Sequence, residues 1–137
     1  MTKRIRILYT IPNFDTAGSG EHLLTLINNL DSDYFEAQIA CLHDKGVLFQ
    51  EIQNSNIKIH TIKLYANARP IVHMFKECYK LSKKFKKIAP DIIHSYNYAA
   101  NYTEPLAARM AGIKWVYTKK NMSWKGPSYR GWRLRTF

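Results

Sequence analysis

Few residues in this chain carry chemistry at a recognisable spacing. The first candidate is Gly18-Ser19-Gly20, inside "TIPNFDTAGSGEHLLTL" (Thr10 to Leu26). Two glycines before a helical pattern could bare backbone N–H groups to an anion, aided by the helix N-terminus behind them. The spacing matches neither GxGxxG nor a Walker loop: Leu23 stands where a third glycine would, and no GK[ST] follows. A turn before a helix cap is the plainer reading of the same residues. His94 closes an apolar run and reads either as a hydrogen-bonded core histidine or as a crevice residue. Lys119, Lys120 and Asn121 follow another apolar run in "YTKKNMSW", where the lysines could meet a phosphate or an acidic acceptor. His43, His60 and His73 have no metal-ligand spacing, so no metal is expected. No Ser/His/Asp, Cys/His or paired-carboxylate arrangement is legible.

Positioning these residues requires alternating strands and helices. "RIRILYTI" (Arg4 to Ile11) is β-branched and apolar, as in a strand covered on both faces. Further strands are expected at Phe35–Leu42, Ile57–Leu64, within "DIIHSY" and within "IKWVYT". A Leu-rich helix is expected from Ser19 or Gly20, and a short one in "GVLFQEIQNSN". The longest helix follows "RP" and ends at Pro90, with Ile71, Phe75, Cys78, Ser82 and Phe85 as its apolar stripe. The last helix ends at Gly112, with Pro105 placed in its first turn. This alternation predicts an α/β, doubly wound, Rossmann-like parallel sheet of about five strands with helices on both faces. Residues 1–118 form that core, and 119–137 are a basic, aromatic tail. The loops after the first, fourth and fifth strands would then converge at the carboxyl edge of the sheet.

Charge separates the two halves of the chain. Residues 1–60 hold five Lys/Arg and seven Asp/Glu, whereas residues 61–137 hold sixteen and three. The basic half favours an anionic partner. "KKFKK" and its neighbours put Lys80, Lys83, Lys84 and Lys87 on one helix, either as a solvated face or as contacts to an anionic membrane. A non-enzymatic module binding nucleic acid is the competing class. The aromatics Trp115, Tyr117, Trp124 and Trp132 are not arranged as a recognisable RNA-stacking motif, so no nucleic acid is expected. Two cysteines far apart, and no apolar run near bilayer length, point to a reduced, cytoplasmic setting.

Taken together, "IPNFDTAGSGEHLLTLINNL" and "PDIIHSYNYAANYTEPLAARMAGIKWVYTKKNMSW" resemble the N-terminal, acceptor-side domain of family-4 glycosyltransferases of the GT-B fold. The resemblance implies a retaining transferase using a nucleotide-sugar and a glycan or lipid-linked acceptor, with no further cofactor. It is associated with polysaccharide, lipopolysaccharide or glycolipid assembly at the inner membrane face. Gly18, with Ser19 and Gly20, would approach the donor's phosphates and sugar. His94, Tyr96, Asn97, Lys119, Lys120 and Asn121 would line the acceptor or sugar side. Many members have histidine where this chain has Tyr96, a donor but a poor proton acceptor near neutral pH. The family's donor site also carries two glutamates eight positions apart in a C-terminal domain. No pair among Glu21, Glu36, Glu51, Glu77 and Glu104 has that spacing. The chain is therefore expected to be the acceptor half of a longer enzyme and inactive alone.

Overall fold

The structure, a computed structural model, describes residues 3–12, 14, 17–46, 48–64, 70–96 and 103–118. Among the described residues, nine elements follow in order: β1 (Ile5–Ile11), α1 (Ala17–Asn28), β2 (Phe35–Cys41), α2 (Phe49–Gln53), β3 (Lys58–Thr61), α3 (Ile71–Ile88), β4 (Ile92–Ser95), α4 (Thr103–Ala111) and β5 (Lys114–Tyr117). The five strands form one sheet in the order β3-β2-β1-β4-β5, and every pair is parallel. The expected doubly wound class is observed.

Strand alternation divides the core in two. Ile7, Tyr9 and Ile11 of β1 and Ile39 and Cys41 of β2 meet Leu23, Leu24 and Ile27 of α1 and Phe49 and Ile52 of α2. Leu8, Ala40 and Ile93 point the other way, onto Leu81 and Phe85 of α3 and Ala107 and Ala108 of α4. Cys41 and Cys78 are both buried, free thiols. Burial, with help from Asp44, pushes the Cys41 thiol up to about 11, so it stays protonated near neutral pH.

The helix ends follow local chemistry. Gly112 has φ 72°, its N–H donates to the Arg109 carbonyl (3.1 Å), and Ile113 N–H donates to Ala108 (3.0 Å). That pair of bonds is a Schellman stop, as the glycine's position predicts. Ala89 closes α3 with φ 55°, where glycine would be easier, and Pro90 follows. Pro105 lies in the first turn of α4, where its missing N–H is not needed.

Two expectations need correction. The helix after β1 starts at Ala17, so Gly18-Ser19-Gly20 form its first turn rather than the loop before it. Gly20 packs closely within that turn: a Cβ there would lie 2.7 Å from Leu48 Cδ1 and 3.1 Å from Phe14 Cδ1, so a larger residue would require those side chains to shift. The α3 stripe is also shorter than its periodicity predicts. Cys78, Leu81, Ser82 and Phe85 are buried, but Ile71 and Phe75 are exposed. The nine-residue α4 is half the length of the eighteen-residue α3 and cannot cover all of it.

Candidate functional site at the sheet's carboxyl edge

The strand order reverses between β1 and β4, the point where open parallel sheets present a ligand crevice. Backbone bonds hold this edge beyond the strands themselves. Tyr96 N–H donates to Thr10 (2.8 Å) and Thr118 N–H to Ser95 (3.1 Å). The ends of β1, β4 and β5 are therefore locked in register where the site residues leave them.

On the α1 face, four rings gather at this edge. His94 lies 5.3 Å from Tyr9 and 4.9 Å from Tyr96 between ring centroids, and His22 of α1 lies 6.0 Å from Tyr96. His94 Nε2 and Thr118 Oγ1 hydrogen-bond at 2.6 Å. Burial raises the Tyr96 phenol above its ordinary value, and a hydrogen bond with the Thr118 side chain opposes the shift. Burial, then the neighbouring Tyr96, pushes Tyr9 up to about 12. Both phenols are thus neutral near physiological pH and act as hydrogen-bonding groups, not bases. Thr118 connects the two central residues, His94 and Tyr96.

The opposite face carries a different polar contact. Ser95 Oγ donates to Glu104 Oε2 at 2.9 Å, and both residues are fully buried. This bond joins the end of β4 to the first turn of α4. Beside them, the Thr10 hydroxyl is buried with no hydrogen-bond partner among the described residues.

The predicted site residues fall into three groups. Gly18, Ser19 and Gly20 reach the edge on the first turn of α1, and the two glycines differ. Gly18 is exposed, with no atom near the position of a Cβ, whereas Gly20 is buried in packing. His94 and Tyr96 are brought together, although Tyr96 is 2% exposed and forms part of the core. Asn97, Lys119, Lys120 and Asn121 lie outside the described residues. On α3, Lys80, Lys83, Lys84 and Lys87 are all exposed. Lys80 Nζ pairs with Glu77 at 2.8 Å, and Lys83 Nζ sits 4.7 Å from the centroid of the Tyr79 ring.

Sequence reasoning missed Thr118 and the Ser95–Glu104 bond. A signal for Thr118 was present in strand parity. His94 pairs with Val116 in the parallel register, so Thr118 falls two residues on and on the same face. Glu104 gave no such signal, since a glutamate in a helix's first turn is ordinarily a solvent-facing residue. Among the described residues, no group of three or more His, Cys, Asp or Glu could hold a metal ion. No described helix is long and apolar enough to cross a membrane.

Comparison with known proteins places this geometry. A glycosyltransferase from Rickettsia africae ESF-5 matches with TM-score 0.56 and 16% identity, over 85% of this chain and 30% of that one. The lipopolysaccharide outer core galactosyltransferase WaaB matches with TM-score 0.54 and 16% identity, over 82% and 32%. A UDP-N-acetylglucosamine 2-epimerase matches with TM-score 0.57 and 15% identity, over 84% and 33%. At these identities the likeness establishes the fold, and an epimerase shares it with the transferases. The chain spans about a third of the length of each of these proteins. No curated protein matches it. The sequence profile described as Glycosyltransferase Family 4, in contrast, matches residues 16–137, which include every candidate residue at the crevice. The chain belongs to Glycosyltransferase Family 4.

Proposed function

We propose that this chain is the acceptor-side half of a retaining GT-B glycosyltransferase, moving a sugar from a nucleotide-sugar to a glycan or lipid-linked acceptor. The observation that carries the reading is the meeting, at one edge, of an exposed glycine turn and a held histidine. Gly18 has open space at its Cβ position, and His94 is fixed by Thr118 at the end of β4. A backbone without a side chain permits close approach of a diphosphate, whose charge the α1 N-terminus favours. His94 then contacts the transferred sugar, with Tyr96 setting its orientation from beneath. Lys119, Lys120, Asn97 and Asn121 line the acceptor side, and no metal or cofactor beyond the nucleotide-sugar takes part.

In this reading the chain alone does not transfer sugar, because most of the donor site and its leaving-group stabilisation belong to a C-terminal domain. The pathway proposed is cell-surface polysaccharide or glycolipid assembly on the cytoplasmic side, by analogy with a neighbour that acts on the lipopolysaccharide outer core. The test is transfer by the full-length protein from a panel of nucleotide-sugars, with product anomeric configuration read by NMR. Transfer with retained configuration is expected, and charge reversal at Lys119 and Lys120 should raise the acceptor KM. Wild-type acceptor kinetics in that double variant would remove the lysines from the site.

A further inference from the structure

One ring of the cluster at the crevice has no part in the proposed transfer. His22 lies on α1 and is exposed, although the next two residues, Leu23 and Leu24, are buried. It stands four residues after Gly18, which is also exposed, so the two share one face of the helix about a turn apart. That face looks toward the end of β4, because the His22 ring centroid lies 6.0 Å from that of Tyr96. Tyr96 is in turn 4.9 Å from His94. One buried phenol therefore separates two imidazoles, one carried by a helix and one by a strand.

The floor between them is open. Tyr9, His94 and Val116 are register partners on three adjacent strands, so their side chains all stand on the α1 face of the sheet. Val116 is 44% exposed there, because the helices packed on this side cover β1 and β2. His22 is thus a wall beside a floor of Tyr96, His94 and Val116, and Gly18 continues that wall toward the carboxyl edge. The two imidazoles also differ in commitment. His94 Nε2 is engaged with Thr118 at 2.6 Å, whereas no hydrogen bond or ion pair holds the His22 ring among the described residues.

We infer that His22 hydrogen-bonds a hydroxyl of the transferred sugar and so helps decide which sugar is accepted. The inference rests on the transferase reading and adds a specificity-determining residue to it. Four residues of helix rise about 6 Å, so a diphosphate on the Gly18 turn would bring the sugar joined to it alongside His22. A sugar hydroxyl both donates and accepts, as a neutral imidazole does, while the glycine turn offers N–H groups suited to the phosphates. Tyr96 is 2% exposed, which makes it the support for both rings rather than a ligand itself.

A cycle of variants and donors in the full-length protein tests it. Wild type, His22→Ala and His22→Gln are each assayed with the preferred nucleotide-sugar and with analogues lacking one sugar hydroxyl at a time. In the wild type, loss of the contacted hydroxyl should lower kcat/KM about tenfold. His22→Ala should lose a similar factor with the parent donor, yet lose nothing further with that one analogue, since the contact is already gone. The remaining analogues should penalise wild type and His22→Ala equally. His22→Gln, whose amide also donates and accepts, should recover part of the loss. Both variants should stay folded on melting, because the altered side chain is exposed. Additive losses with every analogue would overturn the proposal, because a purely structural role couples to no particular hydroxyl. Undiminished kcat/KM in His22→Ala would do the same. In both cases continued transfer by the wild type leaves the transferase reading standing. Absence of wild-type transfer from every nucleotide-sugar would remove that reading and this inference together.

Discussion

The two faces of the sheet solve the burial problem differently. The α1 face is filled by large side chains, including Tyr9, Phe14, Leu23, Phe49, Ile52 and Tyr96, all within 8% exposure. The α3/α4 face is thinner in side-chain bulk, since Ala40, Ala107 and Ala108 stand among Leu8, Leu81, Phe85 and Ile93, and it has a buried Ser95–Glu104 contact at its edge. The thick face also holds the ring cluster around His94, whereas the thin face leaves the first two turns of α3 partly bare. Large enclosed side chains make a rigid floor, which is what a residue poised at a crevice needs. On the other face the nine-residue α4 is too short to cover the eighteen-residue α3, and Ile71 and Phe75 stay exposed. The first arrangement positions a site, and the second supplies a surface.

The largest way to break this contrast is to open a cavity in the thick face. Leu23→Ala should cost about 2–5 kcal/mol, measured by denaturant unfolding, because Leu23 is fully enclosed. A cost near zero would mean that the α1 face is loosely packed. On the thin face, Glu104→Ala should cost about 1–3 kcal/mol by leaving the buried Ser95 hydroxyl without this acceptor. Glu104→Gln should cost less, since its amide oxygen can still accept that bond.

A smaller effect separates the glycines of α1. Gly18→Ala should stabilise the helix by up to about 1 kcal/mol, because its Cβ would meet open space. The same variant should weaken donor use in the full-length enzyme if the bare backbone meets the diphosphate. Gly20→Ala should bring no such gain, since Leu48 and Phe14 would have to move.

The smallest effect is in acid. Asp91 accepts the Arg6 backbone N–H at 2.8 Å, and that bond, aided by the Arg6 guanidinium, holds its carboxyl below the ordinary aspartate value. Its stabilisation is complete above the unfolded aspartate value and is lost as pH falls through the lower, folded one. Asp91→Asn should therefore flatten the acid limb of the stability profile and lower the neutral plateau by the same amount, which is small because the site is solvent-screened.

Much of the fold was legible because each element agrees with its local chemistry. The β-branched run of β1, Gly112 after α4 and Pro105 in a first turn all sit where their backbone preferences put them. His94 could be assigned to a strand end from the sequence, but its partner could not be read without the order of the strands. Thr118 reaches His94 only because β5 is the neighbour of β4, which is a tertiary fact. The α3 stripe was misjudged for a related reason. Periodicity marks Ile71 and Phe75 as lying on the same side as Cys78, yet it cannot say where a covering helix ends. Gly20 looked like part of a ligand loop, and its packing against Leu48 and Phe14 depends on contacts that no motif encodes.

The central claim is that the β1/β4 edge is one half of a sugar-transfer site, and His94 tests it most directly. Transfer from the nucleotide-sugar should be measured for the full-length protein with wild-type His94 and with His94→Ala, alongside thermal melting of both. Loss of at least about tenfold in kcat/KM, the effect of removing one good hydrogen bond to a charged or polarised group, is expected while the fold persists. Undiminished transfer by His94→Ala in a folded protein would contradict the account.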